Sequence, residues 1–95
     1  FSYYILSNLM DINQLSKKIE NKLLQESSIK DVNIIDNTYK HLNHNSHQEG
    51  KFHIKLEINS DVLKKINRIE SNKVIYKILN EELKTDIHSL QISFI

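Results

Sequence analysis

Strict alternation over residues 52–59 is the feature that most constrains the fold of this chain. Apolar residues take one set of positions and polar residues the other: Phe52, Ile54, Leu56 and Ile58 against His53, Lys55, Glu57 and Asn59. A period of two is typical of a β-strand with one buried face. The same period returns near the end of the chain, with Ser89, Gln91 and Ser93 opposite His88, Leu90, Ile92 and Phe94. The pattern therefore predicts a second strand, which opens at His88 on its apolar face.

A helix and a further strand are predicted before residue 52. Asp11 and Gln14 have the spacing of a capping box, and an apolar stripe of helical spacing follows them: Ile12, Leu15, Ile19 and Leu23. The β-branched residues between Lys30 and Asp36 predict a strand.

Two helices are predicted between the alternating segments. Ser60 and Asp61 predict the start of a short helix that extends to Ile66. Ser71 is the predicted cap of a longer helix with the stripe Val74, Ile75, Ile78, Leu79 and Leu83. The order α-β-β-α-α-β predicts an α+β fold, in which the helices cover one face of a small, mostly antiparallel sheet.

Length and composition exclude several classes of protein. The chain has 95 residues, of which 39% are hydrophobic, and this is enough for one small domain but not for two. Its formal net charge of +1 gives no general attraction to nucleic acid. Because the chain has no cysteine, a disulfide framework, a thiolate nucleophile and a cysteine-ligated zinc site are excluded. A metal site must use His, Asp or Glu.

Two segments lie outside the predicted elements. Residues 1–10 are too short to span a bilayer, and two interpretations stay open: a loosely docked tail and the remnant of a targeting leader. Residues 11–95 then form a single domain. The polar run 37–50 is longer than most connections, so it is expected to be either functional or disordered. It contains three histidines at spacings of three, His41, His44 and His47, which raises the chance that one of them binds a ligand.

Six short segments form an ordered pattern along the chain. They are Asp36-Asn37-Thr38-Tyr39-Lys40-His41, His53-Ile54-Lys55, Ser60-Asp61, Val74-Ile75-Tyr76, Glu81-Glu82-Leu83 and Ile87-His88-Ser89-Leu90. In this order and with near-constant spacing they resemble the BolA-like family over nearly the whole chain from Asp11 onward. The chain departs from the family pattern at Leu63-Lys64-Lys65 and Ser71-Asn72-Lys73, and it lacks the Pro-Gly turn of the loop. The resemblance implies a class II KH-like fold with a three-stranded sheet.

The resemblance also implies a function. BolA-like proteins act with monothiol glutaredoxins in iron–sulfur cluster handling, and they supply a histidine of the last strand and a His or Cys of the loop. Carried over to this chain, the cluster ligands are His88 and His41, with His44 and His47 as alternates. Two imidazoles in place of two thiolates raise the potential of a cluster, as in Rieske centres. The implied cofactor is a [2Fe–2S] cluster shared with a glutaredoxin and glutathione, and the isolated chain is expected to bind none. The compartment stays open between the cytosol and a mitochondrion.

Other interpretations apply to the same residues. Without the resemblance, His88 on an apolar face is more often a partly buried structural histidine, and His53 is expected to pack or to form a hydrogen bond. Five basic residues predict either a solvated face or the nucleic-acid surface of a transcriptional regulator: Lys64, Lys65, Arg68, Lys73 and Lys77. The KH-type Gly-x-x-Gly loop is absent, which weakens the second interpretation. An enzyme ranks last, because the sequence has no Ser-His-Asp arrangement, phosphate-binding glycine loop or paired acids at metal spacing.

Overall fold

The predicted order of elements is confirmed, except that the long helix predicted before the last strand is divided into two. A computed structural model describes residues 11–38 and 51–95. Within them the chain forms α1 (Ile12–Leu24), β1 (Asp31–Asp36), β2 (Phe52–Asn59), α2 (Asp61–Lys65), α3 (Arg68–Ile78), α4 (Asn80–Thr85) and β3 (Ile87–Phe94). Residues 1–10 and 39–50 lie outside the described part, and with them lie the predicted tail and most of the predicted loop. The architecture is α+β, as the sequence predicts.

The sheet has three strands in the order β1-β2-β3. Strands β1 and β2 are antiparallel, with Asp31 opposite Asn59 and Asp36 opposite Ile54. Strands β2 and β3 are parallel, so the prediction of a mostly antiparallel sheet is correct for only one of the two pairs. The cause is the connection: α2, α3 and α4 carry the chain back along the sheet before β3 begins, and such a crossover joins parallel strands.

Helix α1 packs on the central strand through the stripe that the sequence predicts. Leu15, Ile19 and Leu23 are fully buried and share one hydrophobic cluster with Ile54 and the other core-facing residues of β2. The capping box is also confirmed. Asp11 Oδ1 accepts from the Gln14 backbone N–H at 2.8 Å, and Gln14 Oε1 accepts from the Asp11 N–H at 3.2 Å. Capping and burial therefore both fix the start and the orientation of α1.

The predicted cap of the long helix is wrong. Helix α3 begins at Arg68, and the Asn67 side chain caps it by accepting from the Ile69 N–H at 2.7 Å. Ser71 is fully buried inside α3, where its hydroxyl donates to the carbonyl oxygens of Leu63 and Asn67. Asn67, four residues earlier, supplies the capping oxygen. The hydroxyl of Ser71 instead joins α3 to α2.

The long helix predicted over residues 74–83 is interrupted at Leu79. This residue has φ −99° and ψ 21°, so α3 ends at Ile78 and α4 begins at Asn80. Neither glycine nor proline marks the interruption in the sequence. Ile75, Leu79 and Glu82 are all fully buried, a step of four residues followed by a step of three. These three residues therefore keep one face turned inward across the bend.

A buried carboxylate joins α4 to α1. Glu82 is fully buried and pairs with Lys22 at 2.7 Å and with Lys18 at 3.3 Å. Burial alone raises the pKa of the Glu82 carboxyl, but hydrogen bonds from Lys22, from its own backbone and from Lys18 outweigh burial, and the pKa lies below its usual value. The hydrogen bond to Glu82 raises the pKa of Lys22. We call these three residues the Glu82 cluster.

The described helices are short. The longest of them, α1, has 13 residues, whereas a membrane-spanning helix needs about 20 apolar residues. None of the helices in residues 11–38 and 51–95 has the length and hydropathy required to cross a bilayer.

Candidate functional site

Strand β3 contains an irregularity at His88. The register pairs Phe52 with Ile87 but His53 with Ser89, so β3 has one residue more than β2 at this point. An extra residue of this kind is a β-bulge, and it shifts the alternation of side chains. Ile87 is buried in the core, and Leu90 packs against the same core three residues later. His88 is thereby turned to the other face of the sheet, and its predicted position on the apolar face is wrong.

His88 lies beside His53 on this second face. The centroids of the two imidazole rings are 4.8 Å apart with an angle of 61° between the ring planes, an edge-to-face contact. His53 is only 4% exposed, whereas His88 is half-buried. We call these two residues the histidine pair. It joins the beginnings of two neighbouring parallel strands.

Several hydrogen bonds hold His53. Its Nδ1 and the hydroxyl of Ser89 are 2.7 Å apart, which ties the ring to β3. Its backbone N–H donates to the Thr38 hydroxyl at 3.1 Å, and its carbonyl oxygen accepts from the Asn37 N–H at 2.8 Å. The Thr38 hydroxyl in turn donates to the Asp36 carboxylate. The prediction that His53 forms a hydrogen bond is therefore confirmed.

His88 differs from His53 in its bonding. Among residues 11–38 and 51–95, no hydrogen bond or ion pair reaches the imidazole of His88, which is in edge-to-face ring contact with His53. None of the described residues therefore prevents the ring nitrogens of His88 from binding an external group. The same part of the chain contains no group of three or more His, Asp or Glu residues that could hold a metal ion. A metal at His88 therefore needs ligands from outside the described residues.

The remaining predicted ligands, His41, His44 and His47, lie outside the described residues. Their loop leaves the fold next to the histidine pair, because Thr38 is bonded to the backbone of His53. His41 is the third residue after Thr38, and an extended chain of that length reaches at most about 11 Å.

The predicted nucleic-acid residues lie elsewhere. Lys64, Lys65 and Arg68 are exposed around the junction of α2 and α3, which follows the far end of β2. At about 3.3 Å per residue, the length of β2 from His53 to Ser60 separates this junction from the histidine pair by roughly 23 Å. Lys73 and Lys77 are exposed farther along α3, and Lys73 pairs with Glu70 at 3.5 Å. The fold thus places Lys64, Lys65 and Arg68 at the opposite end of β2 from the histidine pair.

The histidine pair is the feature that sequence reasoning missed. His53 and His88 are far apart in the chain, and their contact depends on the pairing of β2 with β3. One signal was present: Ile87 and Leu90 are both apolar and three residues apart, a spacing that a regular strand with one buried face does not tolerate. Such a spacing indicates a bulge, and a bulge at His88 moves its side chain to the face of His53.

The chain is similar to known proteins of one family. A family model described as BolA-like protein matches residues 23–95. The curated SufE-like protein 1, chloroplastic/mitochondrial, of Arabidopsis thaliana is 28% identical over 91 residues. That match covers 90% of this chain but 24% of the relative, so the chain spans about a quarter of the length of the curated protein.

Two solved structures show the same fold. The BolA domain of SufE1 from Arabidopsis thaliana superimposes with a TM-score of 0.69 and 29% identity, over 82% of this chain and 86% of that domain. BolA1 from Arabidopsis thaliana gives a TM-score of 0.66 and 26% identity, over the same shares of 82% and 86%. Because the family model matches most of the sequence and both structures have this fold, the chain belongs to the BolA-like family.

Proposed function

We propose that this chain is a non-catalytic adaptor that binds a monothiol glutaredoxin and shares a [2Fe–2S] cluster with it, with His88 as an iron ligand. Membership in the BolA-like family indicates an iron–sulfur role of the BolA type. One observation in the structure supports the finer proposal. The His88 imidazole is half-buried and packed against His53, yet it has no hydrogen bond to the described residues.

The available donors favour a shared cluster over a resident one. A [2Fe–2S] cluster takes four ligands, most often thiolates, and imidazole replaces two of them in Rieske centres. This chain has no cysteine, and its described residues form no group of three potential ligands. A glutaredoxin cysteine and glutathione supply the two thiolates in this proposal. The chain supplies the imidazoles, which hold one iron.

The second imidazole comes from the loop in this proposal. His41 is favoured because it takes the family position most directly, and in the sequence it follows soon after Thr38, whose hydroxyl accepts from the His53 backbone N–H. His44 and His47 are alternates on the same segment. We expect the three to substitute for one another in part, whereas His88 is fixed in a strand and has no such substitute.

Mixing the chain with a cluster-loaded glutaredoxin tests the proposal. The glutaredoxin carries its [2Fe–2S] cluster and glutathione, and visible absorption and circular dichroism are recorded before and after addition of the chain. We expect the spectrum to change when imidazole binds iron, and we expect His88→Ala to abolish that change. Gln91→Ala, an exposed position on the same strand, is the matched control and keeps the change.

The loop variants complete this experiment. His41→Ala weakens the complex in part, and replacement of His41, His44 and His47 together matches the loss caused by His88→Ala. A spectrum that changes equally with wild type and with His88→Ala would show that His88 is not a ligand. Stoichiometric metal in the purified chain, without any partner, would contradict a shared site.

The exposed basic side chains favour a second candidate, a nucleic-acid-binding regulator. Lys64, Lys65, Arg68 and Lys77 are exposed in the helical region, and the described residues provide no ion pair to any of them. Basic side chains attract phosphate, but alone they give binding without sequence specificity. The candidate ranks second because no element of the described structure is shown to read bases.

A further inference from the structure

We propose that His53 is a positioning residue, which holds the imidazole of His88 in the orientation that an iron ligand requires. The inference rests on the proposed function, since it concerns the same site. It adds a residue to which the sequence analysis gave only a packing or hydrogen-bonding role. The geometry that carries it is the edge-to-face contact of the two rings, 4.8 Å between centroids and 61° between planes.

His88 needs such support because of where it lies. It occupies the extra residue of the bulge, where the regular pairing of β3 with β2 is interrupted. Its side chain is half-buried on the face opposite the core, so the packed helices do not restrict its rotation. A ligand must present its nitrogen within a narrow range of directions, and a ring free to rotate loses that preference. The contact with His53 restricts the ring from one side.

His53 is itself well fixed and so can serve as a support. It is 4% exposed, and its ring is bonded through Nδ1 to the Ser89 hydroxyl at 2.7 Å. Its backbone N–H and carbonyl are both bonded to the end of β1, through Thr38 and Asn37. Ser89 directly follows His88, so the bond from His53 to Ser89 also fixes the strand immediately beyond the bulge. His53 therefore acts on His88 in two ways, through the ring and through the backbone.

These two actions can be separated by substitution. His53→Phe keeps an aromatic ring beside His88 but removes the bond to Ser89. His53→Asn keeps a hydrogen-bonding group near the Nδ1 position but removes the ring. Ser89→Ala removes the bond and leaves both imidazoles in place. Ser93→Ala is the matched control, since Ser93 lies on the same face of the same strand and pairs with Glu57, away from the histidine pair.

The first readout uses the isolated chain labelled with 15N at histidine, and it needs no cluster. Long-range 1H–15N correlation spectra report the ring protons and nitrogens of His88. In wild type we expect shifted, sharp ring signals and cross-relaxation between the rings of His53 and His88. His53→Asn moves the His88 ring signals towards those of a mobile histidine, His53→Phe retains their dispersion, and Ser93→Ala changes nothing.

The second readout is titration of the cluster-loaded glutaredoxin. Substitution of residues that orient a metal ligand typically weakens metal binding by about 10–100-fold. We expect His53→Asn to weaken the complex by about tenfold or more while the shape of its bound spectrum is kept, and Ser89→Ala to have a smaller effect in the same direction.

Three results would overturn the inference. The first is a folded His53→Asn protein whose His88 ring signals equal those of wild type. The second is complete loss of the bound spectrum with His53→Asn, as with His88→Ala, because His53 would then be a ligand. The third applies if His53→Asn does not fold: a wild-type chain whose His88 ring signals are those of a mobile histidine, without cross-relaxation to the His53 ring, denies any action of His53. Failure of the proposed function is distinct, since His88→Ala then changes the glutaredoxin spectrum as wild type does, whatever the ring signals show.

Discussion

The Glu82 cluster and the histidine pair are two polar groups at low exposure that the same small sheet supports, and they differ in how they are satisfied. Glu82 is fully buried, and two lysine ammonium groups neutralise its carboxylate at 2.7 and 3.3 Å. His88 is half-buried, and its described contact is the ring of another histidine. The Glu82 carboxylate is already paired with two ammonium groups and is not open to a ligand. The His88 imidazole has no hydrogen bond to the described residues, so its nitrogens can bind one.

The comparison separates structure from function in two neighbouring stretches of chain. Glu82 lies on α4 and His88 on the strand that follows, yet one joins two helices and the other faces away from the core. We therefore expect substitutions in the Glu82 cluster to change the stability of the fold and to leave binding of the [2Fe–2S] cluster unchanged. Substitutions in the histidine pair, most of all at His88, should change binding of the [2Fe–2S] cluster more than they change stability.

The largest expected effect on stability comes from Lys22→Met. This change removes the nearer ammonium group from a buried carboxylate, and with Lys18 still present it should lower the free energy of unfolding by about 3 kcal/mol. Urea unfolding followed by far-ultraviolet circular dichroism measures it. Lys17→Met, at an exposed position on the same helix, is the control and should change stability by less than about 0.5 kcal/mol. Equal losses in the two variants would refute a structural role for the cluster.

The next effect is the response of stability to acid. The pKa of Glu82 lies below its usual value of 4.5, so the ionised carboxylate stabilises the fold above that pH, and the contribution is lost as the pH falls through the folded pKa. Glu82→Gln removes the charge and should cost about 2 kcal/mol at neutral pH. Below pH 4.5 its free energy of unfolding should fall less steeply than that of wild type, by at most the equivalent of one proton. Urea unfolding at several pH values checks this, and parallel curves would contradict it.

A smaller effect is expected at the other region. His88→Ala removes a half-buried ring without a described hydrogen bond, so the free energy of unfolding should fall by about 1 kcal/mol. The same urea titration measures this loss of stability. The spectral experiment with the cluster-loaded glutaredoxin, described above, measures the loss of the spectral change in the same variant. If His88→Ala unfolds the protein, His88 is a structural residue and the contrast between the two regions disappears.

The smallest effect concerns nucleic acid. Five basic residues and a net charge of +1 predict sequence-independent binding in the micromolar range or weaker, which is lost between low and physiological salt. Fluorescence anisotropy with two unrelated duplexes at two salt concentrations measures it, and Lys64→Ala with Lys65→Ala should weaken binding to both duplexes alike. Specific sub-micromolar binding at physiological salt would place the basic residues above the histidine pair in function.

The sequence predicted those parts of the fold that short-range patterns determine. The stripe of α1, the capping box at Asp11 and the alternation of β2 each depend on residues a few positions apart, and all three are confirmed. The ordered motifs from Asp36 to Leu90 also predicted the family and the order of elements, because their spacing is that of the family's whole domain.

The parts that could not be predicted depend on contacts between distant elements. No glycine or proline marks the interruption at Leu79, and the spacing of the buried residues Ile75, Leu79 and Glu82 is also that of an unbroken helix. The bulge at His88 depends on the register of β3 against β2, and the contact between His53 and His88 depends on the bulge. Their residues are visible in the sequence, but their proximity is a property of the folded sheet.

The central claim, that His88 supplies a ligand to iron, is tested most directly by pulsed electron paramagnetic resonance on the reduced complex. The chain is labelled with 15N at histidine, and the glutaredoxin and glutathione are unlabelled, so any strong 15N coupling to the cluster comes from an imidazole of this chain. We expect the wild-type complex to show the hyperfine coupling of a ligated imidazole nitrogen, and His88→Ala to lose it while Gln91→Ala keeps it. A wild-type complex without 15N coupling, or a His88→Ala complex with the same coupling as wild type, would contradict the claim.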